Sequence, residues 1–267
     1  MPRRGSSKPP AEPVVKPYGC DLTNCCAAFC RHCQRRRNIG EKDITISDDN
    51  FNESINYLKK HPEIRDVILT GGDPLTLDNE FLDYVLGKIR SIETVEIIRI
   101  GTRTIVTLPQ RFDNSLMNIL QKYSPLYINT QFNHPNEFSC ETEKICNKIV
   151  DKGIILGNQM VFLKDVNDDY NTVALLNELL VKNRIRPYYI FHPKKITGTK
   201  HFQISIEKGL QIYDKLRGSI SGLAIPTYVY NAPGGLGKIP LNKQMLGLMY
   251  DNKIVTKSWE GKDLELS

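Results

Sequence analysis

The sequence predicts an α/β protein folded as a full or partial (β/α) barrel. Three observations carry this expectation. Short apolar strands alternate with amphipathic helical repeats along most of the chain, which implies βαβ units around a parallel sheet. About six or seven such strands can be counted, roughly what a barrel needs. The residues least explained by packing fall at or just after strand ends, the rim where barrels of this kind carry their sites.

The elements follow in order. Residues 1–13 are rich in proline, serine and basic side chains, without apolar periodicity, and read as a flexible arm. Residues 14–23 read as the first strand, delivering a cysteine-rich loop. Ser47-Asp-Asp-Asn50 resembles a cap, opening a helix to about Lys60 with Phe51, Ile55 and Leu58 on one face. Asp66–Thr70 is a strand ending in Gly71-Gly72-Asp73-Pro74. Helix 78–91, strand 95–100, helix 113–123 and strand 126–132 continue the rhythm. Helix 139–152, strand 154–162, helix 169–182 and strand 185–191 follow it. Helix 204–217 and strand 226–231 complete it. The barrel is assigned to residues 14–240 and a C-terminal extension to 241–267, where Met249–Val255 reads as a hairpin turning at Asp251-Asn252.

Composition narrows the function classes. With 267 residues and 40% hydrophobic content, the chain is long enough for one large core. No apolar run reaches membrane-spanning length and no signal-peptide core is present, so a soluble, cytoplasmic protein is expected. Seven cysteines, three of them clustered, do not form a secreted disulfide pattern. The net charge of +6 is spread out, with no basic-aromatic module for nucleic acid. Anionic small molecules are the more economical partners.

Two stretches carry chemistry. In Cys26-Ala-Ala-Phe-Cys30-Arg-His-Cys33 the thiols are separated by three and then two residues, with Arg35-Arg-Arg37 close behind. Three thiolates can hold a [4Fe–4S] cluster that normally takes four, leaving one iron open for a small molecule. A zinc knuckle completed by Cys20, Cys25 or His32, or a disulfide pair, are the competing readings. The arginine run also reads as a solvated basic loop. Further on, Pro233-Gly-Gly-Leu-Gly-Lys238 reads as a turn, as a phosphate nest, or as a lysine with room to take an aldehyde cofactor as a Schiff base.

Several motifs in the same order then support a resemblance. The cysteine loop, Ile68–Leu75, Arg99–Thr104, Leu108–Arg111, Phe132–Glu137, Leu156–Gln159, Arg186–Ile190 and Ala232–Lys238 together resemble the lysine 2,3-aminomutase family of radical S-adenosylmethionine (SAM) enzymes. The resemblance runs from about residue 14 to residue 240. It implies a radical SAM barrel, a [4Fe–4S] cluster, SAM and pyridoxal 5′-phosphate (PLP), with the α-amino group of an amino acid moved to Cβ.

Carried over by position, the resemblance makes Cys26, Cys30 and Cys33 the cluster ligands. Gly71, Gly72 and Asp73 match the stretch that meets the amino group of SAM, and Gln159 is assigned to cofactor binding. Lys238 matches the lysine that joins PLP. Arg35 matches the arginine for the substrate α-carboxylate, a group its planar fork suits. Enzymes acting on lysine hold the distal ammonium with two aspartates, and here those positions are Lys194 and Asn231. A cation and an amide there repel an ammonium and suit a carboxylate, with Lys195 adding positive field. The substrate implied is therefore L-glutamate, converted to β-glutamate. The alternatives are a lysine 2,3-aminomutase, or a shortened relative that binds cluster and SAM without turnover.

Other departures concern the two ends. Family members carry a long helical segment before the cysteine loop, while 25 residues precede Cys26 here. The arginine that meets the PLP phosphate falls at Pro17, beside Lys16. The C-terminal zinc-binding cysteines of the lysine enzymes are missing, so no zinc is expected. The implied partners are an amino acid and a one-electron donor such as flavodoxin or ferredoxin. Neither nucleic acid nor membrane is expected, and homo-oligomerisation is left open.

Overall fold

The computed structural model describes residues 18–36, 42–233, 236–242, 249–250, 253–257 and 263–266. Lys16, Pro17, the 1–13 arm, Arg37, Gly234, Gly235 and the Asp251-Asn252 turn lie outside them.

One sheet holds eight strands in strict chain order: β1 (Tyr18–Thr23), β2 (Asp66–Gly71), β3 (Ile97–Gly101), β4 (Leu126–Thr130), β5 (Ile155–Val161), β6 (Arg186–Phe191), β7 (Thr227–Asn231) and β8 (Lys238–Pro240). The first seven run parallel, and β8 turns back antiparallel on β7. β1 and β8 are not neighbours, so the barrel is open and partial. A second sheet of three antiparallel strands holds β9 (Met249–Tyr250), β10 (Lys253–Lys257) and β11 (Asp263–Leu266). β9 and β10 are the two arms of the expected hairpin.

The helices are α1 (Asp48–Lys60), α2 (Asn79–Arg90), a single turn α3 (Thr104–Thr107), α4 (Asn114–Lys122), α5 (Cys140–Asp151), α6 (Tyr170–Lys182) and α7 (Ile206–Leu216). All but α3 start at a Ser or Asp whose side chain accepts a backbone N–H of the first turn: Ser47, Asp78, Asp113, Ser139, Asp169 and Ser205. Such caps each contribute about 1 kcal/mol and fix where each helix begins. Each helix lays an apolar face on the sheet. Phe51, Ile55 and Leu58 of α1 and Leu82, Val85, Leu86 and Ile89 of α2 are buried, as are the strand residues Val67, Leu69, Ile98 and Ile100.

Strand pleat then decides what is left for the interior. Ile98 and Ile100 are wholly buried, while Arg99 and Gly101 on the alternate face are only partly so. Arg99 there pairs with Asp66 at 2.7 Å, both largely covered. Parallel register brings the C-terminal ends of β1 to β7 to one rim, and the loops after them build the site.

Candidate active site

The cysteine loop follows β1 and is bolted to the loop after β2. The Asp73 N–H donates to the Cys25 carbonyl at 2.7 Å, and the Gly72 N–H to the Thr23 carbonyl. Glycine is required at this seam. A Cβ on Gly72 would lie 2.1 Å from the Cys25 oxygen, and one on Gly71, whose φ is +122°, 2.3 Å from the Thr23 oxygen. Both obstacles are backbone, so neither can swing aside. Gly72→Ala is therefore expected to destabilise the fold by at least about 2 kcal/mol and to loosen the thiol loop. A lowered melting temperature together with lost iron uptake would be the signature; an unchanged melt would contradict the close approach.

Asp73 lines the cavity, yet its buried carboxylate is already claimed by four donors. Oδ1 accepts from the Thr102 hydroxyl at 2.6 Å and the Leu75 N–H at 3.1 Å. Oδ2 accepts from the Arg103 and Thr104 amides at 2.7 and 3.0 Å. The side chain thus ties the end of β2 to the end of β3, and what this stretch leaves for a ligand is mainly backbone.

The cavity at this rim has a volume of about 290 Å³. Cys26, Cys30 and Cys33 line it, together with Gln159, Lys194 and Asn231. All seven cysteines are free thiols, which disposes of the disulfide reading. Among the described residues no three His, Cys, Asp or Glu side chains converge enough to hold a single metal ion. Cys26, Cys30 and Cys33 line one cavity, and three thiolates are a donor set that fits an iron–sulfur cluster. Burial, then the Asp73 charge, pushes the Cys26 thiol up to about 12, and burial raises Cys33 as well. A bound iron would offset that cost, because a coordinating thiol is deprotonated by the metal's own charge. Thr130, at the end of β4, adds a wholly buried hydroxyl on the same cavity with no partner among the described residues. An orphan of this kind fits a polar ligand such as SAM.

Around Cys30 lies a knot that the sequence shows only as motif residues. The Arg103 Nη1–H donates to the Cys30 sulfur at 3.1 Å, and Nη2–H to Glu137 at 2.7 Å. Nε–H donates to the Gln131 carbonyl at 3.3 Å. The Gln131 amide meets the His32 ring at 3.3 Å. Burial and the Arg103 charge lower the His32 pKa to about 4, so the imidazole is neutral near pH 7. Arg103 and Glu137 were readable as motif residues at strand ends, whereas Gln131 and Thr130 fall inside the expected strand 126–132, and bringing the four together needs the register of β3 against β4.

The same rim holds the anion-binding candidates. Arg35 reaches Asp21 through Nη1 and lines the cavity. Burial, then the Arg35 charge, lowers the Lys194 pKa, which places the two cations in one field. Lys238 opens β8 in register with Asn231 on β7. It is not among the residues lining this cavity. The residue is exposed as a whole, and its amine lies 5.5 Å above the Tyr189 ring. Burial and then the Arg99 and Lys194 charges lower its pKa. An amine that gives up its proton early, with cations beside it, fits an anionic aldehyde.

Three thiols on a loop after the first strand of an open α/β barrel, with a cavity beneath them, define a radical SAM protein. The Radical SAM superfamily model matches residues 21–175, and a lysine-2,3-aminomutase model matches residues 213–263. The chain belongs to the Radical SAM superfamily and carries a lysine-2,3-aminomutase C-terminal domain. It is 45% identical over 269 residues to the glutamate 2,3-aminomutase of Clostridioides difficile, covering 97% of this chain and 64% of that one. To the L-lysine 2,3-aminomutase of Methanococcus maripaludis it is 45% identical over 236 residues, covering 88% and 54%. The chain therefore spans roughly half to two thirds of the length of these relatives. Among solved structures, a radical SAM methyltransferase from Sphaerobacter thermophilus shares the fold with a TM-score of 0.58 at 15% identity, covering 79% of this chain and 65% of that one. Radical SAM membership implies a [4Fe–4S] cluster and SAM as cofactors.

Proposed function

We propose that this chain is a radical SAM, PLP-dependent 2,3-aminomutase that converts L-glutamate to β-glutamate. The observation that carries the reading is that Lys194, Asn231 and Arg35 line one cavity, where a dicarboxylate would find cationic and amide donors for both of its ends. The similarity to a glutamate 2,3-aminomutase supports it.

Bound here, the cluster and SAM supply the radical that removes a hydrogen atom, and PLP supplies a π system that spreads the unpaired spin. The protein's part is to hold and orient. Cys26, Cys30 and Cys33 hold the cluster, with Gly71, Gly72, Gln159 and the Thr130 hydroxyl on the SAM side. Lys238 joins the PLP aldehyde. Arg35 takes the α-carboxylate, Lys194 and Asn231 the distal one. Tyr188 and Tyr189, stacked at 3.9 Å between ring centres, offer a flat apolar wall near the amine. A low-potential one-electron donor, such as flavodoxin or ferredoxin, completes the system.

Anaerobic reconstitution with iron, sulfide, PLP and SAM tests the reading. Chiral chromatography should then find β-glutamate from glutamate, and faster conversion of lysine would overturn the substrate assignment. The aldehyde step has its own check. Because the Lys238 pKa is lowered, more of its amine is neutral near pH 7 than for an ordinary lysine. Borohydride added to the PLP-loaded protein should fix the label on the peptide holding Lys238. A label on Lys194 or Lys195 instead would exclude Lys238 as the attachment point.

A further inference from the structure

The geometry points to Arg103 as a positioning residue that sets the reduction potential of a cluster held by Cys26, Cys30 and Cys33, with Glu137 as its counter-charge. The inference rests on the thiols holding a cluster and is independent of the substrate. Among the described residues Cys30 receives a charged donor, the Arg103 guanidinium at 3.1 Å, whereas Cys33 receives a neutral one, the Arg35 backbone N–H at 3.3 Å. Arg103 cannot easily leave. Its backbone N–H is held by Asp73, its Nε by the Gln131 carbonyl and its Nη2 by Glu137. Glu137 is fixed in turn, because its second oxygen accepts the Asn133 N–H at 2.8 Å. The ion pair is largely covered, with 22% and 19% of the two side chains exposed, so solvent screens it less than a surface pair.

The consequence follows from charge. An external one-electron reductant gives a single electron to the cluster, is itself oxidised by one electron, and leaves the cluster one unit more negative. No proton is transferred and no bond is made or broken. A cation and an N–H donor on a ligand sulfur favour the more negative state, and hydrogen bonds to the sulfurs are among the factors that set such potentials. Glu137 acts in the opposite sense, by drawing charge from the guanidinium and adding its own. Arg103 thus makes the cluster easier to reduce, and Glu137 limits how far. A purely structural role, Arg103 strapping β3 to the turn after β4, predicts no such pair of opposed effects.

The test uses the full chain, reconstituted anaerobically with iron and sulfide and titrated with dithionite and redox mediators under EPR. Arg103→Gln should keep its iron and shift the midpoint negative by enough to cost about tenfold in the one-electron equilibrium, some 59 mV. Arg103→Lys, which keeps the charge and loses the fork, should fall between. Glu137→Gln should shift the midpoint positive. An iron-loaded Arg103→Gln protein with the wild-type midpoint overturns the inference, and so do two shifts of the same sign. If Arg103→Gln fails to load iron, Glu137→Gln decides: a positive shift upholds the inference, and no shift or a negative one overturns it. A wild-type chain that takes up no cluster removes its basis, an outcome distinct from the wrong amino acid being turned over.

Discussion

Cys30→Ala should leave the anaerobically reconstituted protein with almost no bound cluster, down from about four irons per chain. The loss is expected to be near total because the loop has no substitute. Cys20 lies buried on β1, where burial and the Asp21 charge push its thiol up to about 11 and Ser54 bonds it. Cys146 is wholly buried on α5 and likewise raised, to about 12. Cys25 is nearer, but its backbone is committed at both ends, its N–H to the Thr23 hydroxyl and its carbonyl to Asp73. Cys20→Ala and Cys25→Ala should therefore retain iron and the EPR signal of the reduced cluster. Equal losses in all three variants would mean that the ligands have been misassigned. The effect on turnover should be complete, since without the cluster there is no electron to cleave SAM.

The second large effect concerns charge at the far end of the substrate. Replacing Lys194 and Asn231 together with aspartate should lower kcat/KM for glutamate by more than the roughly ten- to hundredfold expected from losing a charge-assisted bond of about 1.5–3 kcal/mol. The new carboxylates would add repulsion. They would also attract an ammonium, so activity on lysine should rise relative to glutamate. Lys194→Ala alone should raise KM for glutamate more than it lowers kcat, because the distal carboxylate is remote from the reacting carbons. A pH profile supplies an independent readout. Burial and Arg35 lower the Lys194 pKa, so its positive charge is present at neutral pH and disappears earlier on the alkaline side than for a free lysine. KM for glutamate should climb on that limb in the wild type, and Lys194→Ala should lose this part of the rise. A double variant that kept wild-type kcat/KM for glutamate would refute the placement of the distal carboxylate.

Much of the fold was legible because local and global signals agree. The six Ser and Asp caps mark helix starts to within about a residue or two of where the periodicity puts them, and the strand order simply follows the chain. The short β8 was not legible. Lys238-Ile-Pro240 is three residues long and ends in proline, which only an edge strand tolerates, so the sequence reads there as loop. The β11 strand was also missed. Within the site, the thiols announce themselves by spacing, and Lys194 by standing where the resembling enzymes that act on lysine have an opposite charge. Asp73 comes from the resemblance as part of the stretch meeting SAM; the folded chain adds that its carboxylate also accepts from four internal donors, a structural tie no spacing reveals. The Arg103–Cys30–Glu137 knot spans residues 30 to 137 and has no local spacing to reveal it.

The sheet's sequential strand order also separates the site in time. Every contact described around the three thiols lies within residues 20–138, the span of β1 to β4 and the turn after it. Arg35 apart, the groups offered to the amino acid and to PLP come from Tyr188 onward, ending with Lys238. Chains tend to fold from the N-terminus as they are made, at about 5–20 residues per second. The stretch from Glu137 to Lys238 thus takes the ribosome roughly 5–20 s to complete at that pace. During translation the iron-binding half of the pocket exists before the lysine that receives the organic cofactor has been synthesised.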